Sequence, residues 1–237
     1  MKIRIKFAKE GTMKFIGHLD VMRYFQKVMR RADVDIRYSE GFSPHQIMSF
    51  ASPLGVGMES RGEYVDIEVL STDSSKEMLR RINEVIGEEM EALSYRRLPD
   101  DAANAMSIVA AADYAVRFRE EYAPADWDAF TEGLAEFLAR TEITVIKKTK
   151  KGEREMNIRP MIYELKANED RTVWMKIATG SAANLKPDAV LRAYFESRGE
   201  TMVEFALLTT RMEVYADKGT EGSPDFVTLE QFGEDIE

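Results

Sequence analysis

The chain has 237 residues, 44% hydrophobic and 32% charged: enough apolar material for a buried core, and the profile of a folded rather than a disordered protein. It holds no cysteine and two histidines, which excludes disulfides, thiolate metal sites, a thiol nucleophile and a histidine-rich metal centre within it. The net charge of -9 argues against a surface coated for nucleic acid, but residues 1 to 31 hold nine Lys or Arg against Glu10 and Asp20, a net of +7 that leaves -16 for the remainder.

Residues 2 to 8 alternate Ile3, Ile5 and Phe7 with Lys2, Arg4 and Lys6, the period of a half-buried strand. They lack the apolar block of a signal peptide, and no apolar run approaches the roughly 20 residues of a membrane span, so a cytoplasmic protein without a membrane partner is expected. From residue 17 to 32 the period lengthens to that of a helix, with Leu19, Met22, Phe25, Met29 and Ala32 as the apolar stripe. Arg23, Lys27, Arg30 and Arg31 share its other face. Residues 34 to 38 suit a short strand, 39 to 62 a long loop, and 64 to 70 a strand with Val65, Ile67 and Val69 inward. Ser74 or Ser75 caps a helix running to about residue 87, and residues 91 to 98 return as a strand that Pro99 ends.

That order, strand, helix, strand, strand, helix, strand, is the ferredoxin-like arrangement. It recurs beyond a linker at 99 to 104. Residues 107 to 120 read as a strand, 125 to 140 as a helix built on Trp127, Phe130, Leu134, Phe137 and Leu138, and 143 to 148 as a strand leading into a basic hairpin around Lys151-Gly152. Strands at 159 to 167 and 171 to 178, a helix from Lys186-Pro187-Asp188 to about 197, and a strand at 202 to 215 complete it. The expected fold is therefore α+β: two tandem ferredoxin-like halves with antiparallel sheets, at 1–99 and 104–216, the second carrying an extra hairpin. Residues 217 to 237 hold seven acids against Lys218, the composition of a solvated, disordered tail, although Phe226, Leu229 and Phe232 are spaced for a short docking segment.

The two histidines fall in the two most unusual polar stretches. His18 stands in Gly17-His18-Leu19-Asp20 at a helix start, where an acid such as Asp20 stabilises the free amides by about 0.3–1 kcal/mol whatever else it does. His45 ends Ser39-Glu40-Gly41-Phe42-Ser43-Pro44-His45, inside a loop with too many apolar residues for a floppy linker. The loop either binds something through Ser39, Glu40, Phe42, Ser43, His45, Ser49, Ser52 and Glu59 or merely covers the core. If the loop folds back on the helix start, His18, Asp20, Glu40 and His45 form an acid–base set or ligate one divalent ion, though neither has a defining spacing. No phosphate-binding glycine loop or nucleophile elbow is present. The basic helix face is either simply solvated or, with Arg4, Lys6 and the cluster Lys147, Lys148, Lys150, Lys151, Arg154 and Arg159, lines a groove for RNA phosphates.

The segments Lys9-Glu10-Gly11, Gly17-His18-Leu19-Asp20, Arg30-Arg31-Ala32, Tyr38 through His45, Ser49-Phe50-Ala51-Ser52-Pro53-Leu54 and Glu63-Tyr64-Val65-Asp66 resemble the radical SAM-linked protein family, as does Asn157-Ile158-Arg159-Pro160. The chain departs from that pattern at Gly17 (Ser in the family), Ser43 (Asn), Gln46-Ile47 (Pro-Lys) and Asn157 (Asp). Members occur fused to, or encoded beside, a radical SAM enzyme with a cobalamin-type domain, often near ribonuclease and ribosomal protein genes. A radical SAM cluster needs three cysteines, so the resemblance assigns that chemistry to a partner enzyme. To this chain it leaves recognition of an RNA or ribosome-associated substrate through His18, Asp20, Arg23, Lys27, Arg30, Arg31, Ser39, Glu40, Phe42, Ser43, His45 and Ser52, with no cofactor or metal of its own. The rival expectation is an endoribonuclease or other hydrolase using His18 and His45, an analogy with tandem ferredoxin-like proteins that process CRISPR RNA.

Overall fold

A computed structural model describes residues 1–149, 152–220 and 222–237. The chain is mixed α+β, with mostly antiparallel strands and few helices, and separates into two units: residues 1–110 with 211–237, and residues 111–210. The division differs from the expected one at 99–104, because the chain's last 27 residues return to the first unit.

In the first unit β1 (Lys2–Lys9) lies between β3 (Glu59–Glu68) and β4 (Met90–Arg97), antiparallel to both. Ile3, Ile5 and Phe7 point into a core shared with α1 (His18–Arg31) and α2 (Ser75–Val85), as their alternation predicts. The α2 start follows its cap: the Ser74 hydroxyl accepts the amide of Glu77 at 3.3 Å. The buried stripe of α1 is Val21, Phe25, Val28 and Met29 rather than one beginning at Leu19, which is 61% exposed. Two residues turn a helix by about 200°, so burying Val21 puts Leu19 on the far side.

The expected strand at 34 to 38 makes only isolated bridges, Ile36 to Val69 and Tyr38 to Gln46. The flank of β3 is taken instead by the short β2 (Met48–Phe50), which pairs Val65 to Ile67, and by β10 (Leu207–Asp217), whose residues from Arg211 onward belong to this unit. The expected 39–62 loop is thus interrupted by β2, and β3 starts five residues early. Gly62 makes the β10 approach possible, since a Cβ there would sit 2.5 Å from the Glu213 Cα.

The described residues of the acidic tail are ordered. Its β11 (Phe226–Thr228) pairs with β10, and Leu229 is fully buried. The Ile236 carbonyl accepts the Ser75 amide at 2.9 Å, and Glu234 bridges Arg97. Charge composition pointed to a solvated segment, but its apolar residues and the cations of β1 and β4 hold it down.

In the second unit β5 (Val109–Phe118), which enters it at Ala111, pairs with β9 (Val173–Ala178), and β9 pairs with β8 (Ile162–Ala167). Helices α4 (Trp127–Leu138) and α5 (Pro187–Ser197) meet through Phe130, Phe137 and Tyr194. A separate hairpin of β6 (Thr144–Thr149) and β7 (Gly152–Asn157) is the extra element expected, and its tip, with Lys150 and Lys151, lies outside the described residues. A one-turn helix, α3 (Ala105–Ile108), precedes β5 where the strand was expected to begin at 107.

Candidate functional site

Gly17 takes the N-cap position of α1 with extended dihedrals, which places His18 first in the helix. The imidazole and the Phe50 ring are perpendicular, their centroids 5.3 Å apart, and neither imidazole nitrogen is hydrogen-bonded among the described residues. His18 lines a cavity with Phe7, Lys9, Val21, Phe50, Ser52, Leu54 and Glu63 that has room, about 10 Å³, for about one water.

Three charged side chains are sunk beside this cavity. Lys9 is 2% exposed, Glu63 6% and Arg211 3%. Arg211 donates to both oxygens of Glu63, at 2.8 and 2.6 Å, and to the Ser52 carbonyl at 2.8 Å. Lys9 donates to the Ile16 carbonyl at 3.2 Å and forms no ion pair among the described residues. Burial pushes its ammonium below the ordinary lysine value; the charge of Glu63 opposes this and that of Arg211 adds to it. Sequence reading missed the pair of Glu63 and Arg211, because 148 residues separate them. The available hint was Glu63 standing in phase with the inward Val65 and Ile67; Arg211 is out of phase with the buried Val214 and Ala216 and offered none.

Of the residues expected at a site, His18 and Ser52 share this cavity. Asp20 instead pairs with Arg23 at 3.0 Å on the solvent side of α1. Lys27, Arg30 and Arg31 are exposed on the same helix and form no ion pair among the described residues. Arg4 and Lys6 do not join them. Arg4, 1% exposed, is held bidentately by Asp66 at 2.7 and 2.9 Å and donates to the Leu229 carbonyl at 3.0 Å. Lys6 is paired with Glu213 and Glu230. Distant acids thus neutralise the strand cations Arg4 and Lys6 while the helix cations stay exposed, and the expected groove loses both strand cations. In the second unit Arg154 is exposed, while Arg159 is committed to the carbonyls of Leu138 and Ile162. Nothing is described of the side chains of Lys147, Lys148, Lys150 and Lys151.

The loop after α1 is braced by its own residues. The Ser39 hydroxyl meets His45 Nδ1 at 2.9 Å and accepts the His45 amide at 3.1 Å, and the Ser39 amide donates to the His45 carbonyl at 2.8 Å. The Ser43 carbonyl lies 3.2 Å from Nδ1, so that nitrogen is engaged in either tautomer and Nε2 is left to solvent. Gly41, at φ 111°, turns the tip and leaves Phe42 wholly exposed, with Glu40 exposed beside it. Gln46 Nε2 donates to the Gln26 carbonyl at 3.3 Å, fastening the loop to mid-α1. Arg23 and Arg30 flank Gln26 one turn to either side.

His45 is therefore tied to the neighbourhood of residue 26, about 12 Å along the helix axis from His18. No described contact joins the two imidazoles, and among the described residues no group of three His, Asp or Glu is placed to hold a metal ion. The expected acid–base set of His18, Asp20, Glu40 and His45 is not assembled: two turns of helix separate its halves.

A mixed α+β protein with an ordered basic and aromatic surface, and a small charged cavity, is what fold and site define. The chain belongs to the family described as "Uncharacterized protein conserved in bacteria (DUF2344)", whose model matches residues 2–187. No curated protein matches it. A solved structure, "Crystal Structure of a Cbf5-Nop10-Gar1 Complex", aligns with 90% of this chain and 48% of its own at 12% identity and a TM-score of 0.46; the chain spans about half the length of that neighbour. No helix among the described residues is long and apolar enough to cross a membrane.

Proposed function

We propose that this protein is a non-catalytic recognition module that presents single-stranded RNA, or an RNA-bearing ribosomal substrate, to a partner radical SAM enzyme. The carrying observation is the exposed Phe42 on a self-braced loop fastened to α1 at Gln26, where Arg23 and Arg30 flank the junction and Lys27 and Arg31 continue the cationic face. Exposed aromatic rings accept stacked bases at about 1–3 kcal/mol each, and unpaired cations track the phosphates. Tyr38, 45% exposed, offers a second ring, and His45 Nε2 a hydrogen-bonding group. The link to a radical SAM enzyme rests on the family resemblance of residues 1 to about 70 and on the absence of cysteine, which assigns any such cluster to the partner. The two ferredoxin-like halves remain the architectural reading, supported by the strand orders β4-β1-β3 and β8-β9-β5.

The test is fluorescence anisotropy with a labelled single-stranded RNA over a salt series, together with co-purification of a tagged chain with its neighbouring radical SAM enzyme. Binding that weakens with salt, and is weaker in Arg30→Ala and in Phe42→Ala, is expected. Retention of neither RNA nor enzyme at low ionic strength rejects the proposal.

A further inference from the structure

A second cavity in the first unit has a volume of about 290 Å³, at the low end of small-ligand sites. It lies on the side of the sheet turned away from α1 and α2. Ile3 and Ile67 point into the helix-side core, so alternation sends Lys2 and Glu68, register partners on β1 and β3, to the other face. Residues 98 to 104 close the far wall, held there by two side chains. The Lys2 ammonium donates to the Ala102 carbonyl at 2.9 Å, and the Ser49 hydroxyl donates to Asn104 Oδ1 at 3.3 Å.

Lys2 and Glu68 both line this cavity, yet among the described residues they form no ion pair with each other. Opposite charges directly across two strands ordinarily attract. Glu68 instead accepts Arg37 through Oε2 at 3.2 Å, a pair half open to water, and Oε1 has no hydrogen bond among the described residues. Lys2, with one carbonyl bound, keeps two N–H groups to donate. The other charge on the lining, Asp66, is closed: it accepts Arg4 at both oxygens and the Ala105 amide at 2.9 Å. Arg4 spends its remaining donors on the carbonyls of Leu229 and Ala103. Around the two open charges the lining is apolar, with Ile47, Met48, Leu98 and Ala102.

We infer that this cavity binds a free α-amino acid with a compact apolar side chain. Its carboxylate accepts from Lys2, its ammonium donates to Glu68 Oε1, and its side chain rests on Ile47, Leu98 and Ala102. A zwitterion suits a site that offers one open donor and one open acceptor of opposite charge. A simple carboxylate would satisfy Lys2 but bring a second negative charge towards Glu68, and a simple amine would do the converse at Lys2. The apolar lining rewards a hydrocarbon side chain by the area it removes from water. This inference goes beyond the recognition reading and does not rest on it.

The test follows the backbone amides of Ala102 and Asn104 in the full chain by NMR during titration with three ligands. These are leucine, isocaproate (leucine without its ammonium) and isoamylamine (leucine without its carboxylate). Leucine is expected to bind with a Kd on the order of millimolar, and each single-charge analogue about tenfold more weakly, the worth of one charge-assisted hydrogen bond. Lys2→Met should reduce leucine to the affinity of isoamylamine, and Glu68→Gln should reduce it to that of isocaproate. The ligand series on the parent chain keeps the test decisive should a variant fail to fold. No response to leucine, an analogue that binds as tightly as leucine, or leucine binding unaltered in both variants overturns the inference. Because RNA binding is read on Arg30 and Phe42, the two proposals fail independently.

Discussion

Arg211 and Glu63, 148 residues apart, form a bidentate ion pair at 2.8 and 2.6 Å with both side chains nearly sealed from solvent. The pair ties the returning strand β10 to β3 beside the His18 cavity. Removing one partner of such a pair strands the other in a poorly solvated site.

Arg211→Met is therefore expected to lower unfolding stability by about 3–5 kcal/mol in urea titrations. The double variant Arg211→Met, Glu63→Met should recover only part of that loss, since neither member of the pair is then left alone but the buried Lys9 loses the charge of Glu63 beside it. Equal destabilisation of single and double variants would refute a coupled pair.

The tail is expected to behave as part of the first unit. Leu229→Ala should cost about 2–5 kcal/mol, the range for a large aliphatic side chain lost from a packed interior, because Leu229 is fully buried. Removing residues 226–237 should also free the Arg4 bond to the Leu229 carbonyl and the Ser75 bond to Ile236. Hydrogen exchange at β4 measures this: faster exchange near Arg97 is expected, whereas a tail with no structural role would leave it unchanged.

Stability should fall above about pH 10. Burial, then the charge of Glu213 and the bond the phenol donates to it at 2.7 Å, raise Tyr64 far above its ordinary value. Folded Tyr64 thus keeps its proton where the unfolded chain releases one, so folding weakens as pH rises. Lys6 acts in the same direction. Burial disfavours its charge, but the bonds and charges of Glu213 and Glu230 outweigh that and raise it, and their contribution is lost as pH passes its folded value. Lys9, lowered by burial, acts oppositely, since its destabilising charge disappears as pH rises. Thermal melts of Tyr64→Phe should show a loss of about 1–3 kcal/mol at neutral pH and a shallower alkaline decline than the parent. Parallel declines would remove Tyr64 as the source.

RNA binding should divide by chemistry. Lys27→Ala and Arg30→Ala are each expected to reduce the salt slope by about 0.7, one phosphate contact on a single strand. Phe42→Ala should weaken binding by about 1–3 kcal/mol with the slope unchanged. A slope change from Phe42→Ala would contradict its role as a stacking platform.

Much of the site's raw material was legible. Phe42, Ser43 and His45 in a loop of turn residues, and four cations at helical spacing, were visible as patterns, because loop chemistry and helical period are local. The alternation of Ile3, Ile5 and Phe7 predicted their burial for the same reason. Leu19 misled because helical periodicity admits two stripes, and only packing against β1 and Phe50 selects the one through Val21.

By itself the sequence determined the elements, the exclusion of thiolate and disulfide chemistry, and the cationic face of α1, all set by composition and by spacing over a few residues. Only the tertiary structure decided that Arg4 and Lys6 are neutralised, that the acidic tail is a working part of the first unit, and that Lys9 is buried beside the pair of Glu63 and Arg211. For Arg4 and Lys6 the partners are 62 to 225 residues away, and whether a charge is exposed or matched is a property of its neighbours in space, which no local pattern encodes.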